Sequence, residues 1–124
     1  MSDPLDNELE MFSPTADAID WLCEDIHNYA KSKGFYEEGK ERNLGEQMLL
    51  IVTEISEGFE GVRVGKGHLP DEHCPEFTNF EIELADACLR IFDLAKYKNC
   101  RLGQAIVAKN TYNKTRPHKH GKRF

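Results

Sequence analysis

Apolar residues recur every three or four positions in four stretches of this chain, and no run alternates as a strand does; this pattern predicts an all-α protein. Ser13 and Pro14 read as a helix start, with Ser as N-cap and Pro at the first helical position. A first helix then runs to about Lys33 on a stripe of Ile19, Leu22, Cys23, Ile26, Tyr29 and Ala30, and Gly34 ends it. A second begins near Asn43, with Glu46 spaced for a capping box, and sets Leu44, Met48, Ile51, Val52, Ile55, Phe59 and Val62 on one core face. Gly65 and Gly67 close it, and residues 65–79 form a loop rich in turn residues. A third helix starts at Thr78 or Asn79, where Thr78 and Glu81 match a capping box, and its core stripe is Phe80, Leu84, Ala87, Cys88, Ile91, Leu94 and Ala95. A shorter fourth spans about Leu102 to Tyr112. Pro117 stops helix formation and leaves an extended basic tail.

The chain of 124 residues divides into a flexible N-terminal arm (1–12), a helical domain (13–116) and the basic tail (117–124). A bundle of about four helices is small, and pairing into a dimer or tetramer would complete its core. No stretch approaches the roughly 20 apolar residues that cross a membrane. The start, MSDPLDNELEM, is acidic and lacks a basic-then-apolar signal pattern, which argues against secretion. Cys23, Cys74, Cys88 and Cys100 show no CxxC spacing, and Cys23 and Cys88 fall in apolar stripes as small core residues. A reduced, cytoplasmic setting accounts for them.

Charge is segregated. Residues 1–93 hold all 22 acids against 7 Lys and Arg, whereas 94–124 hold 9 Lys and Arg and no acid. The acidic body argues against polymeric nucleic acid, which calls for a broad positive surface. A small polyanion held between cations and a metal fits better; the plainer reading is a solvated tail folded on an acidic body.

Two carboxylate pairs sharpen this. Glu54 and Glu57 on the second helix, and Glu83 and Asp86 on the third, are each three positions apart and so share a helix face. Both stretches are otherwise apolar. Four hard oxygen donors on two packed helices suit Mg²⁺, with Mn²⁺ as the alternative; the competing reading is ordinary exposed acids. Asp93 lies about 10 Å along the helix from Asp86, too far to share one ion, and Arg90 is spaced to pair with both. His68, His73 and Cys74 lack the fourth ligand of a structural zinc site.

This arrangement resembles the MazG-like all-α nucleoside triphosphate pyrophosphohydrolases, whose signature is EExxE on one helix and ExxD on the next. The chain reads Thr53-Glu54-Ile55-Ser56-Glu57, with Thr53 in place of the leading Glu, and then Glu83-Leu84-Ala85-Asp86 intact. The segment KNTYNKTRPHKHGK resembles the family's Lys-xxx-Asn-xx-Arg stretch, and the likeness covers roughly residues 15–122.

The resemblance implies Mg²⁺-dependent hydrolysis of a nucleoside triphosphate to the monophosphate and pyrophosphate. Glu54, Glu57, Glu83 and Asp86 would hold the metal, and Glu54 or Glu57 would take a proton from water. Lys109, Asn113 and Arg116 match positions that contact phosphate and substrate. Lys114, His120 and Lys122 would add to them if the tail folds over the site. His27 and Tyr36 sit where relatives place a polar contact and a base-stacking aromatic; for His27 a packed helix residue is the competing reading. Thr53 leaves one fewer acid, so a catalytically weak nucleotide-binding or interaction protein on the same scaffold is the second functional reading.

Overall fold

Each of the first three helices starts behind a residue whose side chain caps its first free amides. The computed structural model of the protein describes residues 13–124, so the expected N-terminal arm lies outside the described residues. Helix α1 spans Pro14–Ser32, with the Ser13 hydroxyl accepting from the Ala16 amide at 3.3 Å. Helix α2 spans Leu44–Arg63, with Asn43 Oδ1 accepting from the Glu46 amide at 3.0 Å. Helix α3 spans Asn79–Tyr97 behind a complete capping box: Glu81 N donates to the Thr78 hydroxyl, and Thr78 N donates to the Glu81 carboxylate. Helix α4 spans Leu102–Lys114 and has no side-chain cap. The expected extended tail is instead broken by a short 3₁₀ turn at His118–Gly121, after Pro117. Among the described residues there is no strand, and the fold is an all-α bundle.

Helix α3 is the centre. It packs against α2 on one side and α1 on the other, while α4 packs chiefly against α1. The α2–α3 loop is held by backbone bonds from Asp71 N to Phe77 O, Asn79 N to Leu69 O and Phe80 N to Gly67 O. No described helix is long and apolar enough to cross a membrane.

The predicted stripes form, but one chain does not bury them. Its buried apolar residues are all small: Ala16, Cys23, Ala87 and Ala95. Met48, Val52 and Phe59, predicted as core, are 56%, 59% and 65% exposed, and Leu44, Ile55, Val62, Phe80, Leu84 and Ile91 are exposed as well. Cys88, also predicted as core, is exposed. The reason is geometric. Small residues bring the helices together, and the large side chains flank those contacts on a face that no other described element covers. Gly58 on α2 lies so close to α3 that a Cβ there would stand 3.1 Å from the Glu83 Cβ. Gly103 on α4 is tighter still against α1, with its amide donating to Asp20 Oδ1 at 2.9 Å.

Candidate metal centre

The close α2–α3 approach at Gly58 brings acids of the two helices together. Glu54, Glu57 and Glu83 each offer a carboxylate oxygen, and these oxygens lie within 4.8 Å of one another. They form the one such group of potential ligands found among the described residues. Glu83 Oε2 is buried and has no hydrogen-bond partner. The cluster borders an apolar groove of about 290 Å³ lined by Ile55, Gly58, Phe59, Val62, Phe80 and Leu84.

Electrostatically the cluster is short of positive charge. Burial, followed by the negative charges of Glu57, Asp86, Glu54 and Asp71, holds the Glu83 carboxyl above its ordinary value. Asp86 is raised by burial and by Glu54 and Asp71, with Arg90 acting in the opposite direction. Such groups favour a proton or a cation. The donor set of carboxylate oxygens, one of them orphaned, fits a hard divalent ion such as Mg²⁺ or Mn²⁺.

Three of the four predicted ligands thus converge. Asp86 stays outside the trio, one turn further along α3 and on a shorter side chain, although its charge is felt there. Asp71 adds a fifth negative charge that helical spacing did not reveal. It sits in the α2–α3 loop, where the amides of His73 and Cys74 both donate to Oδ2 at 2.9 Å. These amides, Cys74 first, hold its carboxyl below the usual aspartate value. The only sequence signal for it was an Asp two and three positions ahead of amides it can cap. His68, His73 and Cys74 form no potential metal group.

Arg90 does not take the partners that helical spacing predicted. Instead of Asp86 and Asp93 on its own helix, it reaches across to α2, where Nε donates to Glu54 Oε1 at 2.6 Å. Asp93 is engaged elsewhere. His27 Nδ1 is 2.8 Å from its Oδ1, and the Tyr36 hydroxyl donates to its Oδ2 at 2.5 Å. The Tyr36 ring also meets His27 edge-on at 4.7 Å, Tyr97 at 4.8 Å and the Arg42 guanidinium at 5.1 Å. His27 is buried, and the two predicted substrate contacts therefore belong to a packed network in this structure.

The predicted phosphate ligands lie on α4 and just beyond it. Lys109 Nζ and the Arg116 guanidinium stand 4.7 and 5.9 Å from the Tyr112 ring centre, and neither has an acidic partner among the described residues. Asn113 Oδ1 is buried without a hydrogen-bond partner. No hydrogen bond or ion pair joins these three residues to the carboxylate cluster, consistent with α4 packing on α1 rather than on α2 and α3.

Comparison of the chain with protein-family models, with curated proteins and with solved structures gives no match.

Proposed function

We propose that the protein is a cytoplasmic, Mg²⁺-dependent nucleoside triphosphate pyrophosphohydrolase that converts an NTP or dNTP and water to the monophosphate and pyrophosphate. The observation that carries this reading is the convergence of Glu54, Glu57 and Glu83 with a buried, unpartnered oxygen on Glu83. Three acids held together with a single guanidinium, on Glu54, repel one another, and a bound cation relieves that repulsion.

Glu83 and Glu54 would hold Mg²⁺, with Asp86 adding negative charge. A bound ion supplies charge to phosphate oxygens and makes a nearby water more acidic. Glu57 is the exposed member of the trio and is the best placed to accept a proton from that water. The water oxygen bonds to the α-phosphorus, the α–β bridging bond breaks, and its electrons leave with pyrophosphate. Lys109 contributes a point charge, and Arg116 a planar fork for phosphate oxygens.

These cations and the carboxylates sit on different helix pairs, so we place the complete site in a homodimer or homotetramer. The uncovered apolar face of α2 and α3 supports this assembly, because large apolar patches on a small chain mark an interface.

The test is release of pyrophosphate and monophosphate from the eight common NTPs and dNTPs with Mg²⁺. Turnover of at least one of them, lost in Glu57→Ala, supports the enzyme. Binding without turnover supports the second reading, a nucleotide-binding protein of weak activity. That reading is favoured by Thr53, whose hydroxyl donates to the Leu50 carbonyl of its own helix at 2.6 Å and so supplies no acid to the site. Neither binding nor turnover would remove both.

A further inference from the structure

Arg90 is the one cation that the described residues bring into a hydrogen bond with the carboxylate trio. Its Nε donates to Glu54 Oε1 at 2.6 Å, from α3 to α2. The two ends of this bond differ. The Glu54 side chain is 13% exposed and the Arg90 side chain 42%, so the carboxylate lies mostly shielded from water while the Arg90 side chain reaches solvent. Glu54 is at the same time one of the three acids whose oxygens lie within 4.8 Å of one another.

A carboxylate can accept several bonds, so Glu54 could in principle serve two cations at once. Charge argues against this. A guanidinium on one oxygen and a dication on the other would sit within a few ångströms in a partly buried site, where repulsion is weakly screened. Arg90 is also not held in place from other directions: its only hydrogen bond among the described residues goes to Glu54.

We propose that Arg90 is the resident cation of the metal-free site, and that a divalent ion and the Arg90 guanidinium compete for Glu54. Metal binding turns Arg90 out of the cluster. This inference rests on the reading of the Glu54, Glu57 and Glu83 cluster as a metal site with Glu54 among the ligands. It makes Arg90 a positioning residue: it keeps Glu54 in place between α2 and α3 before metal arrives, and it sets a threshold that only a strongly held cation overcomes.

The test is Mn²⁺ binding to the full chain without nucleotide, followed by calorimetry and by the electron spin resonance of free Mn²⁺. Arg90→Gln is expected to bind Mn²⁺ about two- to fivefold tighter than the unmodified protein, the scale of one competing ion pair removed. Arg90→Lys, which keeps the charge, should stay near the unmodified affinity, and Glu83→Gln should lose binding. Equal or weaker binding by Arg90→Gln, with the unmodified protein still binding, removes the role of Arg90 and leaves the metal reading intact. Absence of binding in both overturns the metal reading and this inference together.

A second readout avoids the variant's own stability. In the unmodified protein the side-chain Nε–H resonance of Arg90, assigned by its loss in Arg90→Lys, should shift on titration with Mg²⁺ as the bond to Glu54 breaks. A resonance unmoved at saturating Mg²⁺ would overturn the proposal.

Discussion

The Tyr36 hydroxyl donates to Asp93 Oδ2 at 2.5 Å, joining the loop after α1 to the C-terminal half of α3. With His27 on the other carboxylate oxygen, Asp93 ties three segments at one point. The same loop is anchored again where Arg42 N donates to the Tyr97 hydroxyl at 2.9 Å.

This network has a measurable weight. Tyr36→Phe removes a hydrogen bond to a charged acceptor and should cost about 1–2 kcal/mol, whereas Asp93→Ala strands both His27 and Tyr36 and should cost about 2–3 kcal/mol. Burial, then Asp93, pushes the Tyr36 hydroxyl well above its ordinary value of 10.0. A raised value means that the stabilisation is complete below the unfolded value and declines as pH rises beyond it. Urea unfolding should therefore show the unmodified protein losing stability above pH 10.0 more steeply than Tyr36→Phe. Equal slopes would show that the hydroxyl is not held protonated by the fold.

Glu83 is predicted to be a group whose ionised form the metal-free fold tolerates at a cost. Its folded value and that of Asp86 are both raised, from 4.5 and 3.8, first by burial and then by neighbouring acids. The sign is the same as for Tyr36: stability is complete below the unfolded values and falls as pH rises through the folded ones. Metal-free protein should thus weaken from about pH 4 upward on account of these groups. Glu83→Gln should raise its stability at pH 7 by up to about 1 kcal/mol after solvent screening, while abolishing the stabilisation by Mg²⁺. Thermal unfolding with and without Mg²⁺ measures both. A destabilised Glu83→Gln would mean that the carboxylate has a structural partner instead.

The helices were legible because their signals are local. Ser13-Pro14, Asn43 and the Thr78–Glu81 box are each read from three or four adjacent residues, and each is the observed cap. The carboxylate trio was legible for the same reason: helical spacing fixes a face, and packing needed only to bring two faces together. Partners distant in sequence were not. Arg90 has acids at i−4 and i+3, yet it bonds to Glu54, 36 positions away. Asp93, His27 and Tyr36 meet over separations of 57 and 66 positions, beyond any local rule. The apolar stripes were read as core because periodicity reports an apolar face but not what covers it.

Two glycines separate close approach from helix propensity. Alanine favours a helix interior over glycine by about 1 kcal/mol. At Gly103 a Cβ would lie 2.2 Å from the Ala16 carbonyl oxygen, a backbone atom that cannot turn aside. Gly103→Ala should therefore destabilise by about 2 kcal/mol or more despite its propensity. At Gly58 the contact is the Glu83 Cβ at 3.1 Å, a side-chain atom that must give by a few tenths of an ångström. Gly58→Ala should be close to neutral in urea unfolding, but it should weaken Mn²⁺ binding about threefold or more if Glu83 is a ligand as proposed, because the shift falls on that residue. Equal loss of stability in the two variants would contradict this contrast.

The uncovered face of α2 and α3 predicts the assembly state. Burying a large apolar side chain contributes about 1.5–3 kcal/mol, so a charge at its centre should dissociate the oligomer. Phe59→Glu places a carboxylate where the side chain is 65% exposed in one chain, so the single chain itself should tolerate the change. Light scattering after gel filtration should find the unmodified protein as a dimer or tetramer and Phe59→Glu as a monomer. A monomeric unmodified protein at micromolar concentration would leave the face to a different partner.

The division of the candidate site between helix pairs gives the sharpest test of how it is assembled. Glu57 lies on α2, whereas Arg116 follows α4, which packs on α1. If each site joins the carboxylates of one copy to the cations of another, Glu57→Ala and Arg116→Ala should each be inactive alone. Mixed after partial unfolding and refolding, they should recover activity, because a mixed pair holds one intact site beside one doubly altered site. Random pairing makes half of the dimers mixed, with half of their sites intact, so about one quarter of the unmodified activity should return. Failure to recover any activity, with mixed pairs verified by mass, would assign Glu57 and Arg116 to a site within one copy. Arg116→Ala should in either case leave Mn²⁺ binding unchanged, since the guanidinium has no bond to the trio.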